Sequence, residues 1–115
     1  MIQNKFSLLQ HNTFGIDVKA KSYTTFSSTK ELKKILSSND VKGKQKLILG
    51  GGSNILFTKD FDGVVLKNRI KGIEIEKEND EFVWVKANAG ESWDDLVQYA
   101  ITNGYGGIEN LSLIP

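Results

Sequence analysis

Residues 47–57 have the sequence LILGGGSNILF. Three consecutive glycines stand between two short apolar runs, and Ser53 and Asn54 follow them. Glycine within regular structure costs about 0.5–1 kcal/mol relative to alanine, because it loses more backbone freedom on folding. A glycine run directly after an apolar strand therefore predicts a loop whose backbone must stay uncovered by side chains.

The segments around this loop predict a small α/β unit. We expect residues 1–22 to be irregular. SYTTF (22–26) and VVLKN (64–68) predict strands, and QKLIL (45–49) predicts a strand covered on both faces. SSTKELKKILSS (27–38) predicts a helix, because Ser28 and Glu31 have the spacing of a capping box.

The second half of the chain predicts an antiparallel pattern. Residues 72–90 alternate on both sides of the turn residues KEND, which indicates a hairpin. SWDDLVQYAITNG (92–104) predicts a helix capped by Ser92, and Trp84 and Trp93 occupy positions typical of a core. The predicted fold class is therefore α+β. Residues 1–68 are expected to form a small parallel α/β layer, and residues 69–115 are expected to begin an antiparallel sheet with a helix.

The glycine loop predicts a phosphate cradle. Successive N–H groups in a tight loop can form a concave nest for an anion, and the side chains of Ser53 and Asn54 add donors. The loop lacks the Gly-Lys-Ser/Thr ending of a P-loop, and Ile55 stands where the Rossmann fingerprint needs glycine or alanine. A glycine-rich turn without a ligand remains the alternative.

Composition excludes several classes of function. The 115 residues carry a formal net charge of +1 and no cysteine, which does not indicate a nucleic-acid or membrane-surface binder or a thiolate metal site. No signal peptide or membrane span is recognised, so a cytoplasmic protein is expected. His11 is the only histidine, and we interpret it as an ordinary surface or hydrogen-bonded residue and not as a catalytic or metal-binding one. Lys67, Arg69 and Lys71 suit either a phosphate ligand or an exposed strand end, and no pair of a nucleophile and a base is found.

Five segments in this order resemble a known family: NTFGID (12–17), LILGGGSNILF (47–57), VVLKNRIKGIEI (64–75), VKANAGESWDDLV (85–97) and GYGGIENLSLIP (104–115). Together they resemble the UDP-N-acetylenolpyruvoylglucosamine reductases, also called UDP-N-acetylmuramate dehydrogenases. The resemblance implies a cytoplasmic FAD enzyme of peptidoglycan synthesis that takes hydride from NADPH and reduces the enolpyruvyl group of its UDP-linked substrate. It also implies a vanillyl-alcohol-oxidase-type (PCMH-type) FAD-binding domain, and not a Rossmann domain.

The resemblance implies cofactor-binding residues but no catalytic ones. The residues expected to bind FAD are Gly50, Gly51, Gly52, Ser53, Asn54, Ile55, Leu113, Ile114 and Pro115. The family's proton-donating serine, its arginine and its glutamate lie beyond Pro115. The chain is therefore expected to be an inactive N-terminal fragment that binds FAD weakly or not at all and self-associates. A non-enzymatic module that binds a phosphate ligand or a partner is the alternative.

One substitution is expected to weaken FAD binding in the parent protein. Valine at Gly51 would occupy the space that the phosphate needs, and a β-branched residue tolerates positive φ poorly.

Overall fold

A computed structural model describes residues 1–112 of the chain. These residues fall into two compact units. The first is Met1–Arg69, and the second begins at Ile70. Leu113, Ile114 and Pro115, three of the residues expected to bind FAD, lie outside the described residues.

A four-stranded mixed sheet forms the first unit, with the strand order β1-β2-β4-β3. Its strands are β1 (Gln3–Ser7), β2 (Lys19–Phe26), β3 (Lys46–Leu49) and β4 (Phe61–Asn68). Strands β2 and β3 both pair parallel with β4, and β1 pairs antiparallel with β2. The two parallel pairings confirm the predicted parallel layer, whereas the prediction that residues 1–22 are irregular is wrong, because β1 and the beginning of β2 lie in that range.

The central strand β4 explains how the first unit holds together. Val64, Val65 and Leu66 are completely buried, so both faces of this strand are covered. One face carries the main core, which includes Leu8, Tyr23, Leu49, Phe57 and Val65. The edge strand β3 is different, because Ile48 remains 52% exposed among the described residues. The prediction that β3 is covered on both faces is therefore wrong for this part of the chain.

The helix of the first unit, α1, runs over Thr29–Ser37. Ser28 Oγ accepts a hydrogen bond from the backbone N–H of Glu31 at 3.1 Å, as the capping box predicts. The carboxylate of Glu31 accepts in return from the N–H of Ser27, one residue earlier than in the standard box. These two bonds satisfy donors that a helix N-terminus would otherwise leave free.

The second unit contains a hairpin and a helix. Strands β5 (Ile73–Glu78) and β6 (Val83–Ala87) pair antiparallel, and Asn79 Oδ1 shapes the turn by accepting from the N–H groups of Glu81 and Phe82. Helix α2 spans Trp93–Thr102, and the Ser92 side chain caps it. The hairpin and the capped helix confirm the prediction for residues 72–104.

The aromatic residues of the second unit do not occupy the expected core. Val97 and Ala100 of α2 are buried, but Trp93 is 46% exposed and Trp84 is 41% exposed. Lys77 Nζ lies 4.8 Å from the centre of the Trp84 ring, a cation–π distance. The prediction that both tryptophans pack in a core is therefore wrong for the described residues.

Within residues 1–112, moreover, no helix is both long and apolar enough to cross a membrane.

Candidate functional site at the glycine loop

The glycine loop lies at the carboxyl edge of the parallel strands. It begins immediately after Leu49, the last residue of β3, which pairs with Lys67 of β4. Parallel strands end at the same edge of a sheet, and in open α/β sheets that edge commonly binds ligands. No helix follows the loop. Residues 55–60 instead return to β4 without regular secondary structure, and Ile55 and Phe57 pack against the core of the first unit.

Gly52 is a glycine for a structural reason. Its φ of +74° lies in the left-handed region, and a Cβ added there would collide with the backbone carbonyl of His11 and lie 2.9 Å from the Cα of Asn12. The Gly52 carbonyl oxygen accepts a hydrogen bond from the Thr13 N–H at 3.0 Å. Residues 11–13 therefore dock against the bare backbone of Gly52, which is buried.

Gly50 and Gly51 are glycines in open space. Both are exposed, their φ angles lie outside the left-handed region, and no atom lies within 4 Å of an added Cβ. The expected positive φ at Gly51 is therefore wrong, and that argument applies to Gly52 instead. Nothing in the described protein itself requires glycine at these two positions, whereas a ligand resting on the backbone would.

The N–H groups of the loop are available to a ligand. Within residues 1–112, none of the amides of residues 50–54 donates a hydrogen bond to the protein. Buried or partly buried backbone donors are paired in nearly all native structures. Ser53 is half-buried, Asn54 is exposed, and Ile55 is half-buried against the core. The loop thus combines free donors with uncovered backbone, as a nest for an anion requires.

Asn12 holds the segment beneath the loop. Its buried amide nitrogen donates to the carbonyl oxygens of Leu8 at 2.7 Å and Ile16 at 3.1 Å, and its Oδ1 accepts from the Ile16 N–H at 2.9 Å. These three bonds tie residues 8–16 together around the short 3-10 helix Leu9–His11. The surface on which Gly52 rests is therefore fixed by a side chain that the sequence analysis did not single out.

His11 belongs to an aromatic cluster beside the loop. The rings of Phe6 and Tyr23 are stacked with centres 3.9 Å apart, and the His11 ring lies 5.3 Å and 5.2 Å from them. Burial lowers the pKa of His11, and the positive charges of Lys67 and Arg69 lower it further. Sequence reasoning treated His11 as an ordinary residue, because a lone histidine carries no signal of the strands that meet around it.

A cavity of about 370 Å³ lies in the second unit between β6 and the start of α2, with Glu91 and Trp93 in its lining. The Glu91 carboxylate in this cavity accepts from the Gly72 N–H at 3.0 Å, so it has a structural partner. Among the described residues, no three His, Cys, Asp or Glu side chains come together as a metal site would need.

Comparison with known proteins places the chain in a family. Residues 20–115 match the family model described as "FAD binding domain". The chain is also 54% identical over 114 residues to a UDP-N-acetylenolpyruvoylglucosamine reductase of Flavobacterium johnsoniae, which confirms the resemblance seen in the sequence. Proteins of the same name from Bacteroides fragilis and Amoebophilus asiaticus are 46% and 47% identical.

The coverage of these matches is unequal. Each alignment spans 99% of this chain but only 33% to 34% of the relative, so the chain spans about a third of the length of the curated relatives it matches. The family model, in contrast, covers most of the chain. The protein therefore belongs to the FAD-binding domain family.

Proposed function

We propose that the chain is the FAD-binding part of a flavin-dependent reductase that uses NADPH and converts UDP-N-acetylenolpyruvoylglucosamine to UDP-N-acetylmuramate in peptidoglycan synthesis. The names of the relatives and the match to the FAD-binding family support this proposal. The domain would be of the vanillyl-alcohol-oxidase type. Its first FAD-binding subdomain would end near residue 68, and its second would begin with the hairpin.

The single observation that carries the proposal is the state of Gly50 and Gly51. Their backbone is uncovered, the space where a side chain would lie is open, and their amides donate to no other described residue. A pyrophosphate has the size and charge to use such donors, and each charge-assisted bond contributes about 1.5–3 kcal/mol. The residues present therefore fit the phosphate part of a dinucleotide.

We propose different roles for different residues of the loop. The N–H groups of residues 50–54 would hold the pyrophosphate, the side chains of Ser53 and Asn54 would add donors, and Ile55 would flank the ligand from the core. Leu113, Ile114 and Pro115 would lead into a second segment that binds the cofactor. When bound, FAD supplies the hydride chemistry. The described residues bind and orient its phosphates, and no catalytic residue is assigned to this chain.

NADPH and the UDP-linked substrate are partners of the whole enzyme in this proposal. The chain spans about a third of its relatives, and a cytoplasmic site of action follows from the proposed reaction. A dinucleotide is normally enclosed on several sides. One loop alone is expected to give an affinity near the millimolar range, about −4 kcal/mol.

A titration followed by nuclear magnetic resonance tests the proposal even at weak affinity. The 115-residue chain is labelled with ¹⁵N and titrated with FAD, and with riboflavin as a control that lacks phosphate. FAD should shift the amide resonances of residues 50–54, and riboflavin should not. Equal shifts with both ligands, or none with FAD at several times the expected dissociation constant, would contradict the pyrophosphate cradle.

A second outcome of the titration distinguishes an FAD-binding domain from the alternative function, a module that binds phosphate ligands in general. Shifts of the loop amides with inorganic phosphate or with ADP, but none that are specific to FAD, would favour a general phosphate-binding module over a flavin domain. The flavin proposal requires FAD to bind more tightly than ADP, because the flavin half adds contacts.

A further inference from the structure

A group of basic side chains lies beside the glycine loop and has no role so far. Val65 of β4 belongs to the main core, and alternation along a strand places Lys67 on the same face. Arg69 continues this alternation just past the end of β4, where its N–H donates to the carbonyl of Phe26. Because Lys67 pairs with Leu49, both cations lie at the edge where the loop begins.

His11 adds an imidazole ring to this basic group. Its backbone contacts Gly52, and its ring contacts Tyr23. The pKa of Lys67 is lowered by its own burial and by the charge of Arg69, and the pKa of His11 is lowered by burial and by both cations. Lys67 and Arg69 are thus close enough to His11 to disfavour its protonated form, and Arg69 is close enough to Lys67 to disfavour the charged ammonium.

No carboxylate neutralises this group in the described part of the chain. The one ion pair found within residues 1–112 joins Lys21 and Asp62 at 3.8 Å, at the opposite end of β4. Tyr23, the other titratable residue in contact with His11, has a pKa raised by burial. Like charges held together without a counterion cost free energy, and a bound anion would offset that cost.

The hydroxyl of Tyr23 gives an independent indication. Tyr23 is only 3% exposed, and within residues 1–112 its hydroxyl oxygen is shielded and has no hydrogen-bond partner. Arg69 lies close to this hydroxyl, since its positive charge opposes the effect of burial on the pKa of Tyr23. An unsatisfied buried donor costs about 1–3 kcal/mol, so this position favours a ligand or water with an acceptor oxygen.

We propose that Lys67, Arg69 and His11 form a cationic subsite that binds a phosphate group of the ligand held by the glycine loop. The loop supplies N–H donors, and the subsite supplies charge. A guanidinium binds two phosphate oxygens at once, and an ammonium adds a point charge. This inference rests on the proposed function only in that the ligand carries phosphate.

The single histidine gives a direct probe. The pH titration of the His11 ring is followed by proton resonance in the 115-residue chain, with and without inorganic pyrophosphate. A bound anion close to the imidazole favours its protonated form, so pyrophosphate should raise the pKa of His11 by about one pH unit or more. By linkage, pyrophosphate should bind more tightly as the pH falls.

Matched variants separate the subsite from general charge. K67Q/R69Q should raise the pKa of His11 in the free protein, because two positive neighbours are removed, and pyrophosphate should then bind at least about tenfold more weakly. K30Q/K33Q removes the same charge from exposed positions of α1 and should change neither quantity. K67R/R69K keeps both charges and should retain binding, and a dispersed amide spectrum of K67Q/R69Q itself shows that its loss of binding is not misfolding.

Each outcome decides between the two proposals. If FAD shifts the loop amides but neither FAD nor pyrophosphate changes the pKa of His11, the subsite is wrong and the flavin proposal stands. If pyrophosphate raises the pKa of His11 but FAD leaves the loop amides unchanged, the subsite stands and the flavin proposal fails. An unchanged pKa of His11 in free K67Q/R69Q would also overturn the subsite.

Discussion

Adjacent glycines in the loop should respond in opposite ways to the same substitution. Gly52→Ala places a methyl group against the backbone carbonyl of His11 and forces alanine to a φ of +74°. Left-handed backbone costs about 1–2 kcal/mol for a residue with a Cβ. Overpacking against backbone that cannot rotate away adds about 1–3 kcal/mol. The first unit should therefore lose about 2–5 kcal/mol of stability, a large part of what a domain usually has.

Gly51→Ala should behave differently, because the added methyl group meets no atom within 4 Å and the backbone is not left-handed. Alanine at a compatible position restricts the unfolded chain, so the expected change lies between neutral and about 1 kcal/mol of added stability. Gly51→Val should also leave the fold intact. It should weaken FAD binding, because its side chain would fill the space proposed for the phosphate.

Native-state amide exchange of β4 is the suitable assay. Trp84 and Trp93 both lie in the second unit, so tryptophan fluorescence would report on the wrong part of the protein. Exchange protection of Val64, Val65 and Leu66 reports on the first unit directly. Equal losses for Gly51→Ala and Gly52→Ala would refute the division of the glycine run. Unchanged FAD binding by Gly51→Val, measured on a folded variant, would refute the cradle.

Four further outcomes are expected. Asn12→Ala should destabilise the first unit by about 2–4 kcal/mol, because it breaks three hydrogen bonds and leaves the partly buried Ile16 N–H without a partner, and amide exchange of β4 measures this. The pKa of His11 in the folded state lies below its ordinary value, so the unfolded state binds more protons in the range between the two values. The free energy of unfolding should therefore fall as the pH drops from about 6.5 through the folded-state pKa of His11. Urea unfolding at several pH values should show this slope, and His11→Gln should flatten it. The purified 115-residue chain should be colourless and should not oxidise NADPH with the enolpyruvyl substrate, and turnover above the control without enzyme would contradict the proposed division of labour. The chain should also form dimers or larger species by light scattering, because the hairpin leaves strand edges unpaired among the described residues and exposes Phe82 by 63%.

Local signals account for most of what the sequence predicted correctly. The Ser28 and Ser92 caps form as expected, because a capping side chain reaches only to its own first turn. The hairpin follows from alternation on both sides of a polar turn, and β2, β3 and β4 from short β-branched and apolar runs. In each case the residues that decide the structure are neighbours in the chain.

The errors arise where distant segments meet. Strand β1 has the sequence QNKFS, with no apolar alternation, and it forms because β2 offers an edge to pair with. Helical periodicity placed Trp93 on an apolar face, but periodicity does not show whether another layer covers the whole of that face. The cluster around His11 joins residues from three strands and the 3-10 helix Leu9–His11, and no spacing in the sequence indicates it.

The glycine run itself shows why composition alone left its role open. All three residues look alike in the sequence, yet Gly52 is bare so that residues 11–13 can dock, whereas Gly50 and Gly51 are bare beside free N–H groups. In the proposed phosphate cradle, the docking of Gly52 would position the backbone of Gly50 and Gly51. On one side of Gly50 and Gly51, Gly52 docks on the segment that Asn12 holds, and on the other side Leu49 pairs with β4. A loop held at both ends loses its flexibility on folding, before any ligand arrives. Its donors are then already in place, and less ordering entropy opposes the binding of an anion.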